Sequence, residues 1–457
     1  MHDLAILGAG PAGVGAAFRA ARVGHDVVVL ERAPVPGGAA GSFEVGGLRV
    51  DFGSHRLHPS IESEILADIT GLLGDDLQRR PRRGRIRLDG RWIAFPLRAG
   101  DLLRRVSPTF ALGAALDMAT SWARRPKADT FEEVLRAGLG QTLSKRFYFP
   151  YARKLWGLEP AEISGEQARR RVAASSPGKL LARLLKGSSG PQLFYYPRRG
   201  FGTTWEALAE AAEKNGADFR YGVTARKIKF GADRVQIETG DGMVEAARVW
   251  STVPLPVLAR MADPEPAQSV LDGAARLESR SMVLVYLVLD VDRYTEFDAH
   301  YLPEEFTEVT RISEPKNYRD GPDPTGRTVL CAEIPCSAGD RAWTLDDGAL
   351  AELVCKSLVA ADLPHPRPVA VEVRRLSHAY PVYRSGYEEA FDALDSWAES
   401  VPRLLTFGRQ GLFAHDNSHH ALAMAWAAAD ALGPGGSFDE DAWRRARERF
   451  RSHVVED

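Results

Sequence analysis

Near the N-terminus, Gly8-Ala9-Gly10-Pro11-Ala12-Gly13 has the residue types and spacing to hold a phosphate-bearing ligand. In such a segment the first glycine permits a tight turn, the second lets a pyrophosphate approach the backbone, and the third lets a helix pack on a strand. Glu31, 23 residues beyond Gly8 and followed by Arg32, stands where a carboxylate accepts hydrogen bonds from both ribose hydroxyls. The elements needed to position them are present. Leu4 to Leu7 reads as a strand, Val14 to Val23 as a helix whose positive N-terminus faces the phosphates, and Val27 to Leu30 as a second strand. The whole reads as a dinucleotide-binding unit.

A second glycine loop, Pro36-Gly37-Gly38-Ala39-Ala40-Gly41-Ser42, follows the acid, and Val50-Asp51-Phe52-Gly53-Ser54-His55-Arg56-Leu57-His58-Pro59 follows the loop. Two such loops offer backbone amides to more of a long cofactor than one turn can, which favours FAD over NAD. With 59 Lys and Arg against 61 Asp and Glu, the chain carries no bulk charge to attract nucleic acid. Cys331, Cys336 and Cys355 contain no C-x-x-C, so neither a disulfide framework nor a cysteine zinc site is expected. No apolar run is long enough to span a bilayer and no secretory signal is seen, so the expected location is the cytoplasm.

At 457 residues the chain has room for two large units or about three ordinary ones. Arginines at 79, 80, 82, 83, 85 and 87 mark a change of texture, and helical text broken by prolines runs from Asp101 to Lys186. Strand-like text returns between Ala217 and Val253, then from Met282 to Leu289, Thr328 to Ile334 and Val369 to Val373. Leu404 to Phe407 and the alanine-rich stretch His420 to Leu432 read as a last strand and a buried helix.

Further motifs fall in order along the chain: Lys154-Leu155-Trp156-Gly157, Pro197-Arg198-Arg199-Gly200-Phe201-Gly202, Thr310-Arg311-Ile312-Ser313-Glu314-Pro315-Lys316, Tyr380-Pro381-Val382-Tyr383 and Gly408-Arg409. Together with the N-terminal loops they resemble the amine oxidase, protoporphyrinogen oxidase and UDP-galactopyranose mutase superfamily of flavoproteins, over residues 4 to 430. The resemblance implies an α/β fold. A Rossmann-like FAD-binding domain of glutathione-reductase or amine-oxidase type (1–72, 192–265 and 395–457) would be interleaved with an α+β substrate domain (73–191 and 266–394), a helical insert plus a β-sheet.

Carried over residue by residue, the resemblance assigns noncovalent FAD to Gly8, Gly10, Pro11, Ala12, Gly13, Glu31, Arg32, Gly38, Ala39, Gly53, Ser54, His55, Ala225, Gly408, Arg409 and Asn417. Arg409 would meet the flavin diphosphate or ring edge, and Arg311 an anionic group of the substrate. His58, Trp156, Tyr380 and Tyr383 would line the substrate cavity, and His55 is the candidate proton relay by the flavin. No metal is expected, since His415, His419 and His420 lack a nearby framework of acids or cysteines.

Two departures from the mutase pattern bear on the reaction: Val172 to Ser176 lacks a second phosphate-binding arginine, and Asn417-Ser418-His419 carries histidine where the mutases carry an acid. Lys227 and Lys316 are the lysines available for the oxygen-reducing role known in amine oxidases. The expected activity is FAD-dependent hydride removal from carbon of a small organic, glycan-derived or secondary-metabolite substrate, anionic or nucleotide-linked. One alternative is a redox-neutral mutase of a nucleotide sugar, with NAD(P)H as external reductant. Another is a non-catalytic flavoprotein resting on a membrane surface through Leu102, Leu103, Phe110 and Leu112 with flanking arginines. The oligomeric state is not written in the sequence.

Overall fold

The computed structural model describes residues 1–95, 101, 104–120, 124–171 and 192–455. Its first sheet has eight strands. At the centre lie β1 (His2–Leu7) and β2 (Val27–Glu31), parallel to each other, joined by the helix α1 (Pro11–Arg22). On its other edge β1 pairs in parallel with the strand Gly242–Ser251, so sequence-distant segments flank the glycine turn.

Both faces of these strands are buried, so they read as continuous apolar runs, as central parallel strands do. Leu4, Ile6, Val27 and Val29 face a layer that includes α1 and the helices Thr203–Lys214 and Ser418–Asp430. Ala5, Leu7, Val28 and Leu30 face the opposite layer, which includes the helices Leu255–Met261, Gln268–Arg276 and Tyr387–Ser400. Here the expected domain boundaries need correcting: Val270 and Ala274, and likewise Ala390 and Leu394, pack on the first sheet although they fall in segments assigned to the substrate domain. Cutting at 266 or 395 would separate each helix, or half of it, from the core it fills.

The second sheet has seven strands, built from Pro368–Pro381, Ser279–Leu289, Thr328–Cys336, Arg311–Ser313, Ala299–Tyr301, Gly84–Leu88 and Arg91–Phe95 in that order. The side-chain period of two divides it sharply. Val283, Val285 and Leu287 pack under the helix Asp347–Ala360, while Met282, Leu284 and Tyr286 face the hairpin strands Ser42–Val45 and Leu48–Asp51. Leu330, Ala332 and Ile334 share the first of these faces, which leaves Cys331 and Glu333 on the second. That face is where the two sheets approach.

A helical insert, with the helices Pro108–Ala119, Phe131–Leu139 and Phe149–Trp156, packs beside the second sheet. Among the described residues, no helix is long and apolar enough to cross a membrane. Leu102 and Leu103 lie outside the described residues, as do Val172 to Ser176.

Candidate functional site

A continuous cleft of about 2780 Å³ opens at the carboxyl ends of β1 and β2 and runs between the sheets into the helical insert. Ligands of open α/β sheets bind at this edge. At Gly8 the backbone turns with φ of +96°, and a Cβ there would stand 2.6 Å from Thr252 Oγ1. At Gly13 a Cβ would lie 1.8 Å from the Gly8 carbonyl oxygen, so helix and turn can touch only through glycine. Gly10 instead faces open space. α1 begins at Pro11 and no side chain caps it, so its first turn presents free N–H groups and the positive end of its dipole to a ligand.

Glu31 is clamped in place. Its Oε2 accepts from Ala9 N–H at 2.6 Å and its Oε1 from Ala33 N–H at 2.8 Å, which leaves further lone pairs for a pair of hydroxyls. The second glycine loop leans on the first, since a Cβ on Gly38 would come within 3.3 Å of Gly10 Cα. Asp51 holds this loop from behind. It accepts from Ser42 Oγ at 2.6 Å, Phe201 N–H at 3.0 Å and Tyr196 Oη at 2.5 Å, tying three chain segments together. Gly202 is forced by the same contact, its Cβ position lying 2.5 Å from Ser42 N. The Pro197–Gly202 segment therefore supports the loop from outside the cleft wall.

From the far end of the chain, Gly408 closes on α1, where a Cβ would fall 2.8 Å from that of Ala12. Arg409 follows it into the cleft. Its Nε is buried without a hydrogen-bond partner, and its guanidinium lies 4.9 Å over the Tyr380 ring. Burial, opposed in part by Tyr380, lowers its pKa from the usual arginine value. An orphaned donor beside an uncapped helix end fits an anionic or acceptor-rich group. Arg32, Ala39, Ala225 and Asn417 share the same wall. These residues fit a dinucleotide cofactor.

Beyond the cradle, the cleft passes Ser54 and His55. His55 Nε2 bonds the Phe52 carbonyl at 2.9 Å, and its ring stacks on Phe201. A carbonyl only accepts, so Nε2 carries the proton and Nδ1 is left as an acceptor. Burial lowers the His55 pKa, which holds the ring neutral at pH 7. Gly53, with φ of +95°, lets this turn pass close to Glu333.

Arg311 sits next to this turn, but its partner comes from within the chain. Its Nε and Nη2 donate to the two oxygens of Glu333 at 2.9 and 2.8 Å, across adjacent strands. Burial, the largest single influence, lowers the Arg311 pKa, yet Glu333 together with Tyr301, Tyr380 and Tyr151 raises it well above the ordinary value. The expectation of a cation free for a substrate anion is corrected accordingly: the pair is neutral as a unit. Arg56 is likewise matched, its Nη2 standing 3.2 Å from Asp298 Oδ1. Within the arginine-rich run, Arg80 pairs with Asp320 and Arg87 with Glu304, while Arg82 donates to Tyr301 Oη at 3.2 Å and Arg85 to His300 Nδ1 at 2.9 Å.

Past Arg311 the cleft becomes an apolar arm. The Arg311 guanidinium lies 5.7 Å from the Tyr301 ring, Tyr301 packs on Phe95 at 4.9 Å, and Ile86, Phe110, Phe147 and Leu155 continue the wall into the insert. Trp156 borders the cleft while packing edge-on against Phe131 and His415. Tyr380 and His58 also border the cleft.

Tyr383 does not border it, a further correction. It is 2% exposed, donates to the Phe413 carbonyl at 2.9 Å and stacks on Tyr387. Tyr383→Phe should lower stability by about 1 kcal/mol in chemical denaturation and leave substrate affinity unchanged; weakened affinity at full stability would return the residue to the cleft. Neither candidate lysine reaches the cleft. Lys227 pairs with Asp263 and Lys316 with Asp292. The described lining contains no lysine.

The sequence reading missed Glu333 and the apolar arm. The alternating strand around Glu333, with one acid in an apolar run opposite Arg311, was the available signal for the first.

Comparisons with known proteins follow the same outline. The chain is 26% identical over 311 residues to a phytoene dehydrogenase of Streptomyces griseus, covering 57% of this chain and 56% of that protein. It thus spans little more than half the length of this curated relative. The fold matches a reduced UDP-galactopyranose mutase with a TM-score of 0.83 at 21% identity, over 100% of both chains. It also matches a putrescine oxidase bound to putrescine with a TM-score of 0.66 at 17% identity, over 94% of this chain and 98% of that one. The model for flavin-containing amine oxidoreductases matches residues 11–421. That span opens on the first residue of the helix behind the glycine turn and closes in the alanine-rich helix packed against it, so the chain belongs to the flavin-containing amine oxidoreductase family and is a flavin-dependent enzyme.

Proposed function

We propose that this enzyme binds FAD noncovalently and removes hydride from carbon of an elongated, mostly apolar substrate held in the arm of the cleft. The observation that carries the reading is the arm itself, walled by Tyr301, Phe95, Phe110 and Phe147, with Arg311 and Arg56 at its base paired to Glu333 and Asp298. Burying a charged head group against neutral ion pairs returns little of its hydration energy, whereas each buried methylene contributes about 0.8 kcal/mol.

When bound, FAD supplies the hydride acceptor. The chain's residues do the rest: Glu31 fixes the ribose end and Arg409 gives charge to the phosphates or ring edge. Neutral His55 offers Nδ1 as a proton acceptor, and the aromatic wall excludes water. Leu112 and Leu116, 64% and 59% exposed on the helix whose Phe110 and Ala114 line the arm, fit delivery of such a substrate from an apolar phase.

A redox-neutral mutase is the second reading. Arg171 and Arg409, 5.3 and 4.9 Å from the Tyr380 ring, could address a nucleotide diphosphate there.

Anaerobic mixing with a panel of long-chain hydrocarbons, fatty acids, amines and UDP-galactopyranose separates the readings through bleaching of the flavin absorbance. Apolar long-chain compounds are expected to bleach it. Ala114→Trp, which fills the arm, should cut kcat/KM for them at least about tenfold while the flavin spectrum is retained. Bleaching by short amines alone, or sugar isomerisation by the NADPH-reduced enzyme, would overturn the reading.

A further inference from the structure

Asp416, His420 and His453 come together at the rim of the cofactor cleft, where the C-terminal tail meets the start of the helix Ser418–Asp430. The Asp416 side chain is fully buried, and neither of its oxygens makes a hydrogen bond. A buried carboxylate without donors is strongly disfavoured unless something else neutralises it. Its Oδ1 lies 3.5 Å from His420 Nδ1 and 3.4 Å from His453 Nδ1. The two imidazoles are stacked at 4.2 Å with 14° between their planes, and His453 Nδ1 has no hydrogen-bond partner.

These separations have a simple meaning in coordination geometry. Nitrogen and oxygen ligands at about 2.0–2.2 Å from a tetrahedral ion stand about 3.3–3.6 Å from one another. We propose that Asp416, His420 and His453 form a site for a divalent cation of the Zn²⁺ type, fastening the C-terminal tail to the wall of the cofactor cleft. Two neutral imidazoles and one carboxylate are the donor set such an ion prefers. The ion supplies the charge that buried Asp416 lacks, and its fourth position is left for water, since Asp416 and Val455 both border the cleft. Asn417 N–H donates to His420 Nδ1 at 3.2 Å, a long contact that coordination replaces. The nearby Arg170 is engaged by Glu166 at 2.7 Å. His453 is 33 residues beyond His420, so no ligand-spacing motif in the sequence reveals the site.

The test uses the flavin-loaded protein after dialysis against a chelator, titrated with Zn²⁺ alone and with Co²⁺ as a spectroscopic probe. One equivalent per chain is expected, with Co²⁺ giving tetrahedral visible bands and Zn²⁺ slowing carboxypeptidase digestion of the tail. Because replacing buried Asp416 risks the fold, His453→Ala is the deciding variant. It should weaken Zn²⁺ binding at least about tenfold and abolish the protection while flavin content is retained. Absence of stoichiometric binding, or equal affinity in His453→Ala, overturns the site. Neither readout depends on which substrate the enzyme oxidises.

Discussion

Gly13→Val is expected to yield protein without bound flavin. The Cβ position at residue 13 lies 1.8 Å from the Gly8 carbonyl oxygen and 3.3 Å from the Ile6 side chain, so the added atoms cannot be absorbed by a rotamer change. Either α1 lifts away from β1 or the Gly8 turn reverses. Both displace the uncapped N–H groups from the place where phosphates are to sit. Loss of these donors and of the dipole contact should weaken the cofactor by two orders of magnitude or more, since charge-assisted hydrogen bonds contribute about 1.5–3 kcal/mol each. Absorbance of the purified variant, with circular dichroism to confirm folding, is the measurement. Gly71→Ala is the control, because Gly71 lies in the helix Ser63–Leu73 without a positive φ and a Cβ there meets nothing within 4 Å. A yellow Gly13→Val protein with wild-type flavin content would remove the cradle from the account.

The second large effect concerns the ion pair at the base of the arm. Arg311→Met strands Glu333, whose side chain is 4% exposed, and should destabilise the protein by about 3–5 kcal/mol in urea titration. Removing both charges with Arg311→Met and Glu333→Leu should recover most of that loss, because neither ion is then left buried alone. Turnover should not recover. Glu333 Oε1 accepts from Ser54 N–H at 2.9 Å, and Arg311 Nη2 donates to the Ser54 carbonyl at 3.4 Å, so the pair also orients the turn that carries His55. A stable, flavin-bound double variant with kcat/KM down at least about a hundredfold is the expected outcome. If the double variant turns over normally, the pair serves stability alone.

The nucleotide cradle was legible because each of its residues answers a local demand. A carbonyl 1.8 Å from a would-be Cβ forces glycine at position 13, and the acid closing β2 accepts from the amides of Ala9 and Ala33. The two sheets were legible from strand-like runs bounded by turns. Other features depended on long-range pairing. Glu333 becomes the partner of Arg311 only once Arg311–Ser313 and Thr328–Cys336 align in register. Tyr380 and Tyr383 look equivalent in the sequence, yet the strand ends at Pro381 and the chain then turns inward, which buries Tyr383 beside Phe413. The walls of the arm are Phe, Ile and Leu on helices and strands, the same residues that fill a core, so a single sequence does not tell packing from cavity. His453 joins Asp416 only through the path of the tail.

The order in which the cradle is assembled has a consequence for biosynthesis. β1 leaves the ribosome well before its parallel neighbour Gly242–Ser251, which follows some 240 residues later, and Asp51 waits for Tyr196 and Phe201. At about 5–20 residues per second, that is an interval on the order of tens of seconds in which the glycine turn exists without its walls. Arg409 and Asn417 arrive later still. Cofactor capture therefore waits until the segment that carries Arg409 and Asn417 has emerged, and a chain interrupted before residue 409 would expose its apolar strands with no flavin to hold them.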